Sequence, residues 1–449
     1  MAGVKRNLGA NLYGTAAVIG GQIALVPLFL HSWGQNYYGQ WLVLSTVPAY
    51  LALSDIGISN ALGNEFSIAV ERGEGVRAQN LLGAVWRFQA WFALALALLV
   101  VVALAVMPLQ VWLKSSAISR AEFAAVLLML TAYSLLPLQT GSFSGVYRAA
   151  RAFPRYLLLQ GHLRMLEVLG TAVLLWAHAT MVWLALWLVL LRLLLLAILS
   201  LQAKRLLPTL SLQWRSGTWS DFRSLLPSSV GFFAFPVGNA LINQGVTLVV
   251  NSAGGPGAVV LLSVYRQIGR GFLQFSSILF TSLHPELTTA FAQKNWARMK
   301  RLQAGALGLA TVLGVLFALG AFLFGGWVVQ VWTGLAAVSG VVIGMFALEA
   351  VTAALANLAF VVPWAASRLG ALPVAYVAVQ SLSLLASWAA YPFFGVVTVG
   401  AAFLMGNIVF AGVALNKSLG ELDCHLPAFL FSGWAGLREA GTSLRLRFS

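Results

Sequence analysis

Two arginines, Arg266 and Arg270, stand one helical turn apart in the apolar run GAVVLLSVYRQIGRGFLQFSSILF, Gly257 to Phe280. An arginine near the centre of a bilayer costs about 2.5–3.5 kcal/mol even on the lenient insertion scale. Residues four apart share a helix face, so both guanidinium groups leave the helix on one side. A guanidinium offers paired donors matched to phosphate oxygens. The pair therefore suits binding of an anion in a water-filled cavity. The competing role is structural, with both arginines tied to carboxylates or backbone carbonyls. Gln267 and Ser263 lie beside them, and Gln274 extends their row.

Other polar residues fall inside apolar runs. Arg192 is alone in WLALWLVLLRLLLLAIL, where it is either a third cavity cation or the partner of a carboxylate on another helix. Arg164 and Glu167 are three apart and can neutralise each other. Arg87 is close enough to an apolar end to snorkel. Two acids, Asp55 and Glu349, have no basic neighbour in sequence. A buried carboxylate can load and release a proton near neutrality, so each is a candidate for ion coupling. The alternatives are a salt bridge to an arginine and, for Asp55, bracing of a helix end near Gly57 and Asn60. Asn239 and Asn243 share a face and can meet sugar hydroxyls. Gln244, Asn357, Gln380 and Asn407 are further amides, and bonds between helices explain all of them equally well.

The elements that position these residues follow from composition. The chain is 60% hydrophobic and 9% charged, against about 25% charged in soluble proteins. Apolar runs near the ~20 residues needed to span a bilayer recur throughout. They predict twelve spans, roughly 11–30, 41–62, 81–107, 122–142, 157–177, 181–201, 228–250, 258–280, 302–324, 337–362, 371–391 and 396–416. Arg266 and Arg270 then lie ~12 and ~18 Å into a ~30 Å core. The predicted fold class is an all-α polytopic membrane protein, with two six-helix bundles around a central cavity. The bundles cover 1–201 and 228–416, with a cytoplasmic connector 202–227 and a cytoplasmic tail 417–449.

Loop charge sets the orientation. Twenty lysines and arginines fall in one set of loops and the termini, and two, Lys114 and Arg120, in the other. The positive-inside rule places both termini in the cytoplasm. The net charge of +15 thus reports topology and contact with anionic lipid headgroups, and nucleic acid is not an expected partner. Lys5 and Arg6 before a long apolar stretch read as the edge of an uncleaved first span. Pro27, Pro48 and Pro236 lie within spans, and Pro27 or Pro236 is a candidate hinge, because proline removes a helical hydrogen bond, although membrane helices tolerate proline generally. Gly20-Gly21, with Gly14, reads as close helix packing.

The halves resemble a parallel repeat. Gln110-Val111-Trp112 recurs as Gln330-Val331-Trp332, and Glu65 and Arg77 recur as Glu286 and Arg298. A more specific pattern is Gly34, Tyr38-Gly39 and Trp41, then Tyr50-Leu-Ala-Leu-Ser-Asp55-Ile-Gly57 and Ala61. With His284-Pro285-Glu286-Leu287, it resembles the bacterial polysaccharide transporters, the O-antigen and exopolysaccharide flippases. That resemblance implies the superfamily that also holds multidrug exporters and lipid II flippases. It implies two bundles arranged as a V, alternating access, and a cargo of oligosaccharide on a polyprenyl diphosphate in a bacterial inner membrane. Lipid II flippases carry arginines in spans 1 and 2. This chain has none there beyond Lys5 and Arg6, while Arg266 or Arg270 matches their eighth-span arginine.

Three functions compete: a lipid-linked oligosaccharide flippase, a multidrug exporter, and a membrane enzyme acting on lipid-linked sugars. The outer loops are short, and no metal-ligand cluster, nucleophile motif or phosphate loop is present in the sequence. No cofactor or catalytic residue is therefore expected. An exporter of organic cations should carry carboxylates in its spans, whereas mid-span arginines outnumber acids here. Candidate partners are the lipid-linked sugar, membrane lipids, and a polysaccharide polymerase or glycosyltransferases.

Overall fold

The computed structural model describes residues 2–425 and 427, apart from 56–57, 117, 209–215, 226–233, 336–337 and 367. For 2–19, 22, 52, 54, 60, 64, 234–235, 285 and 292 it describes the backbone alone. Gly57, much of the connector, the basic tail beyond 427 and the side chains of Lys5, Arg6, Gly14, Asn60 and Pro285 lie outside the described residues. Every regular element among the described residues is helical. Nine helices there are long and apolar enough to cross a membrane. Spans 3 to 6 are Gly75–Val106, Arg120–Ala149, Phe153–Trp176 and Met181–Leu206; spans 9, 11 and 12 are Trp296–Thr333, Leu372–Phe394 and Val397–Glu421. Span 10 is Gly340–Ala359, continued by Val361–Ala365.

The remaining spans are merged in pairs. Ala2–Leu51 contains span 1 and the start of span 2, bent at Gly34. Val246–Ala292 contains the end of span 7 and all of span 8, bent at Gly255. The two bends have the same backbone conformation, φ 70 and ψ 171 at Gly34 and φ 74 and ψ −178 at Gly255. That region is essentially closed to residues with a Cβ. Span 2 departs from the single helix expected over 41–62. It is interrupted by the 3-10 turn Ala52–Asp55 and resumes as Ile58–Glu71. Span 7 has a π-helical turn, Leu241–Gly245, just after Pro236.

The bend at Gly34 belongs to a repeated pattern of backbone turns. Of twelve positive-φ residues among the described residues, ten form two sets, Gly34, Gly73, Lys114, Arg151 and His178, then Gly255, Lys294, Gly334, Gly370 and Gly395, with Gly217 and Asp423 outside them. The second set follows the first by 221, 221, 220, 219 and 217 residues. The ion pair Arg77–Glu65, 3.6 Å, has its counterpart in Arg298–Glu286, 2.5 Å. Backbone turns and charge pairs thus repeat at the offset of the sequence matches.

The chain forms two compact units, Met1–Val260 and Leu261–Ser449. The repeat and the units therefore divide the chain at different places. Spans 7 and 8 are joined within the first unit, where Gln35 Nε2 donates to Gly257 O at 2.9 Å and Asn251 Nδ2 to Leu113 O at 2.9 Å. The core of the first unit gathers Leu62, Phe66, Val85, Phe143, Tyr147 and Leu199. Of the glycine pair expected to pack closely, Gly21 packs directly on Val168, while Gly20 is exposed, with nothing within 4 Å of where a Cβ would lie. The second unit has cores around Leu287, Met299 and Val362 and around Phe272 and Val351. Leu98, Leu99, Val102, Leu316, Phe324, Trp327, Leu382 and Trp388 are all more than half exposed. Exposed apolar surface on this scale is what a helix presents to lipid.

Candidate functional site

In the second unit the polar residues of four helices converge. Span 8 packs on span 10 along Tyr265, Gly269, Phe272 and Ser276. Tyr265 stacks on Phe346 with ring centroids 5.8 Å apart, and Ser276 Oγ donates to Ala354 O at 3.2 Å. Gly269 is needed for the approach, since a Cβ there would lie 2.7 Å from Ala350 Cβ. This contact fixes the rotation of span 8. Arg266 and Arg270, each one residue past this seam, therefore occupy the adjoining face of the helix.

Arg266 is half-buried and Arg270 is exposed. Arg270 Nη1 donates to Gln267 Oε1 at 3.2 Å. Arg266 lies within electrostatic range of both Arg270 and Glu349. Glu349, on span 10, accepts from Asn407 Nδ2 of span 12 at 3.0 Å. Asn407 Oδ1 in turn accepts from Gln380 Nε2 of span 11 at 3.3 Å. Tyr376, one turn before Gln380, is also within electrostatic range of Glu349. The structure thus brings Arg266, Arg270, Gln267 and Glu349 together, and supplies a relay of amides behind the carboxylate.

The first unit treats its charges differently. Arg192 is 5% exposed, so it is corrected from candidate cavity cation to buried partner of an acid. Its Nη2 lies 3.2 Å from Glu167 Oε1 and donates to Tyr133 OH at 3.0 Å, while the guanidinium sits over the Tyr133 ring. Tyr133 OH donates to Glu167 Oε1 at 3.0 Å, and Arg164 Nη1 lies 3.3 Å from Glu167 Oε2. The Arg164–Glu167 pair expected from spacing is present, with Arg192 and Tyr133 added. Arg87 Nη2 donates to the connector carbonyls of Ser216 and Gly217 at 2.8 and 2.5 Å.

Asp55 Oδ1 accepts from Ser59 N at 3.1 Å, Ser59 Oγ at 2.8 Å and Gln89 Nε2 at 3.3 Å. Gln89 Oε1 is held by Ser142 Oγ at 2.7 Å. These bonds satisfy an otherwise orphaned first-turn N–H of the helix Ile58–Glu71. They match the bracing role weighed for Asp55, at a distance in sequence from Glu349 and in the other unit. Asn239 and Asn243 are exposed on span 7, where Asn243 Nδ2 donates to Asn239 O at 2.8 Å. Asn357 is exposed as well.

Tyr133, Tyr376, Gln89 and Gln303 escaped the sequence reading. Gln303 is buried and donates to Ala359 O at 2.9 Å and Ser418 Oγ at 3.1 Å. Their partners lie on other helices, with no local spacing to reveal them. The only sequence signal was a polar side chain within an apolar run.

No protein-family model matches the chain, and no curated protein sequence does. Solved structures do. The lipid II flippase MurJ, in an inward closed conformation, is similar over 97% of this chain and 90% of its own, with a TM-score of 0.69 at 11% identity. A multidrug resistance MATE family transporter of the MOP superfamily, inward-facing, is similar over 92% and 94%, with a TM-score of 0.68 at 13% identity. A MOP superfamily transporter from Pyrococcus furiosus, described for the reverse polarity of its binding pocket, is similar over 94% and 95%, with a TM-score of 0.55 at 16% identity. The chain has the fold of these transporters.

Proposed function

We propose that the chain is a flippase that carries polyprenyl-diphosphate-linked oligosaccharide from the cytoplasmic to the outer leaflet by alternating access. The surface polysaccharides of a bacterium are the pathway it serves, the inner membrane is its location, and both termini are cytoplasmic. One observation carries the reading. Between Arg223 and Glu286 the only formal charges are Arg266 and Arg270, and between Arg301 and Arg368 the only one is Glu349. The membrane-embedded part of the second unit is therefore net positive, with both arginines on one helix face and Arg270 exposed. A diphosphate is the biological headgroup that two guanidinium groups match best. The polysaccharide-transporter pattern around Tyr38-Gly39 and Asp55, and the fold shared with a lipid II flippase, support the same cargo.

The second reading is a multidrug exporter, favoured by the fold shared with MATE transporters. An exporter of organic cations needs carboxylates turned to its cargo. Here Asp55 braces a helix start and Glu349 faces Arg266. The test is transport by the Arg266→Ala/Arg270→Ala variant in proteoliposomes loaded with a fluorescent polyprenyl diphosphate sugar. Flipping falls on the order of 100-fold, as expected from the 2–5 kcal/mol lost when a charge-assisted contact is truncated. Arg270→Lys restores part of it. Unchanged flipping by the double variant, with the protein folded, refutes the reading; efflux of an organic cation by the wild type favours the exporter.

A further inference from the structure

This inference rests on the reading of Arg266 and Arg270 as the anion site. We infer that Glu349 is the resident counter-ion of that site, and that it takes up a proton when a diphosphate replaces it at Arg266.

Charge arithmetic carries the argument. The embedded part of the second unit holds two cations and one anion, Arg266, Arg270 and Glu349. Span 9 adds no titratable residue after Arg301, and spans 11 and 12 face Glu349 with Tyr376, Gln380 and Asn407. The empty site is thus at single positive charge with Glu349 ionised, and would be at double charge without it. A diphosphate esterified at both ends has one ionised oxygen on each phosphorus. Added to the site with Glu349 ionised, it leaves one negative charge uncompensated. Added with Glu349 protonated, it leaves none. In a low-dielectric interior an uncompensated carboxylate neutralises itself rather than stay charged. The proton comes from water on the side open to the site and returns there when the diphosphate leaves. Only an O–H bond forms and breaks.

The amide relay gives the carboxylate its direction. Asn407 Oδ1 is occupied by the Gln380 amide, so its Nδ2 must face Glu349. One carboxylate oxygen is thereby held from span 12, and Arg266 of span 8 lies within range of the group. Asn407 is a positioning residue: it fixes the carboxylate where it competes for Arg266.

The experiment is calorimetry on the full-length protein in detergent, with farnesyl diphosphoryl-N-acetylglucosamine as probe, in Tris and in PIPES. Wild type takes up about one proton per probe bound, and its affinity falls about tenfold per pH unit above neutrality. Glu349→Gln binds with no uptake and a flat pH profile. Asn407→Leu shifts the midpoint of the profile and leaves its acid plateau in place; an unshifted midpoint overturns the positioning role. Zero uptake by wild type, a measurement that needs no variant to fold, overturns the inference, as does uptake that persists in Glu349→Gln. Equal binding of the probe by wild type and by Arg266→Ala/Arg270→Ala overturns the anion site itself. Loss of binding in that variant with zero uptake in wild type overturns the Glu349 role alone.

Discussion

Each unit has one place where two arginines and one glutamate meet within its apolar helices, and uses them in opposite ways. In the first, Glu167 takes Arg164, Arg192 and the Tyr133 hydroxyl onto its two oxygens, and the Arg192 side chain is 6% exposed. In the second, Glu349 is held by an amide, and Arg270 is exposed. The composition is the same and the excess charge is the same. What differs is how the cations are spread over the helices and how far they are buried. In the first unit span 4 supplies Tyr133, span 5 Arg164 and Glu167, and span 6 Arg192, and this cluster of four ties the helices together. In the second, both arginines stand on one helix, so they repel each other, and the one acid beside them, Glu349, comes from a neighbouring helix. A cluster of four residues spread over three helices holds structure; a pair concentrated on one face presents charge.

The sharpest way to break that comparison is to remove each acid. Glu167→Ala leaves Arg192 buried without its counter-ion, and breaking a buried pair by removing one partner costs about 3–5 kcal/mol. The variant is expected to lose most of its folded yield and to melt far earlier in detergent by scanning fluorimetry. A melting temperature like that of wild type would show that the Glu167 cluster is not structural. The Arg266→Ala/Arg270→Ala variant should lose flipping with a smaller change in melting temperature, since it relieves a like-charge pair and leaves Glu349 free to take up a proton in place of its counter-ion.

A smaller effect separates Asp55 from the ion-coupling role its burial suggested. Asp55→Asn keeps an oxygen that accepts from Ser59 and is expected to retain flipping. Asp55→Ala loses that acceptor and should cost roughly 1–2 kcal/mol, the range for a lost helix-start cap, read as a lower melting temperature. Abolished flipping by a well-folded Asp55→Asn protein would return Asp55 to the coupling step.

These contrasts mark what the sequence made legible. The all-α class, the number of spans and the repeat could be read because hydropathy, loop charge and an offset of about 220 residues are one-dimensional signals. So could the shared face of Arg266 and Arg270, which follows from a spacing of four. The fate of Arg192 could not. Its partners lie 25 and 59 residues away on other helices, and a lone arginine in a leucine-rich run looks the same whether it faces a cavity or a carboxylate. The interruption of span 2 was only partly legible: Gly57 and Asn60 marked a helix end, but not the turn that precedes them. Hydropathy reads through Ala52–Asp55 without a break, while the backbone leaves the α conformation there.

The repeat itself offers the smallest and cleanest comparison. Arg77–Glu65 and Arg298–Glu286 are the same ion pair in the two halves, at 3.6 and 2.5 Å, with side chains about half exposed in both. Exposed pairs contribute about 0–1 kcal/mol. Arg77 also bonds Glu74 at 3.0 Å, so Glu65→Gln leaves it a second carboxylate. Arg298→Ala should therefore lower the melting temperature slightly more than Glu65→Gln does, and 0.5 M salt should erase the difference, because screening weakens solvent-exposed pairs first. A difference that survives salt would mean that the second-half pair orders its loop in some way that charge does not explain, and that the two halves have diverged at their most alike feature.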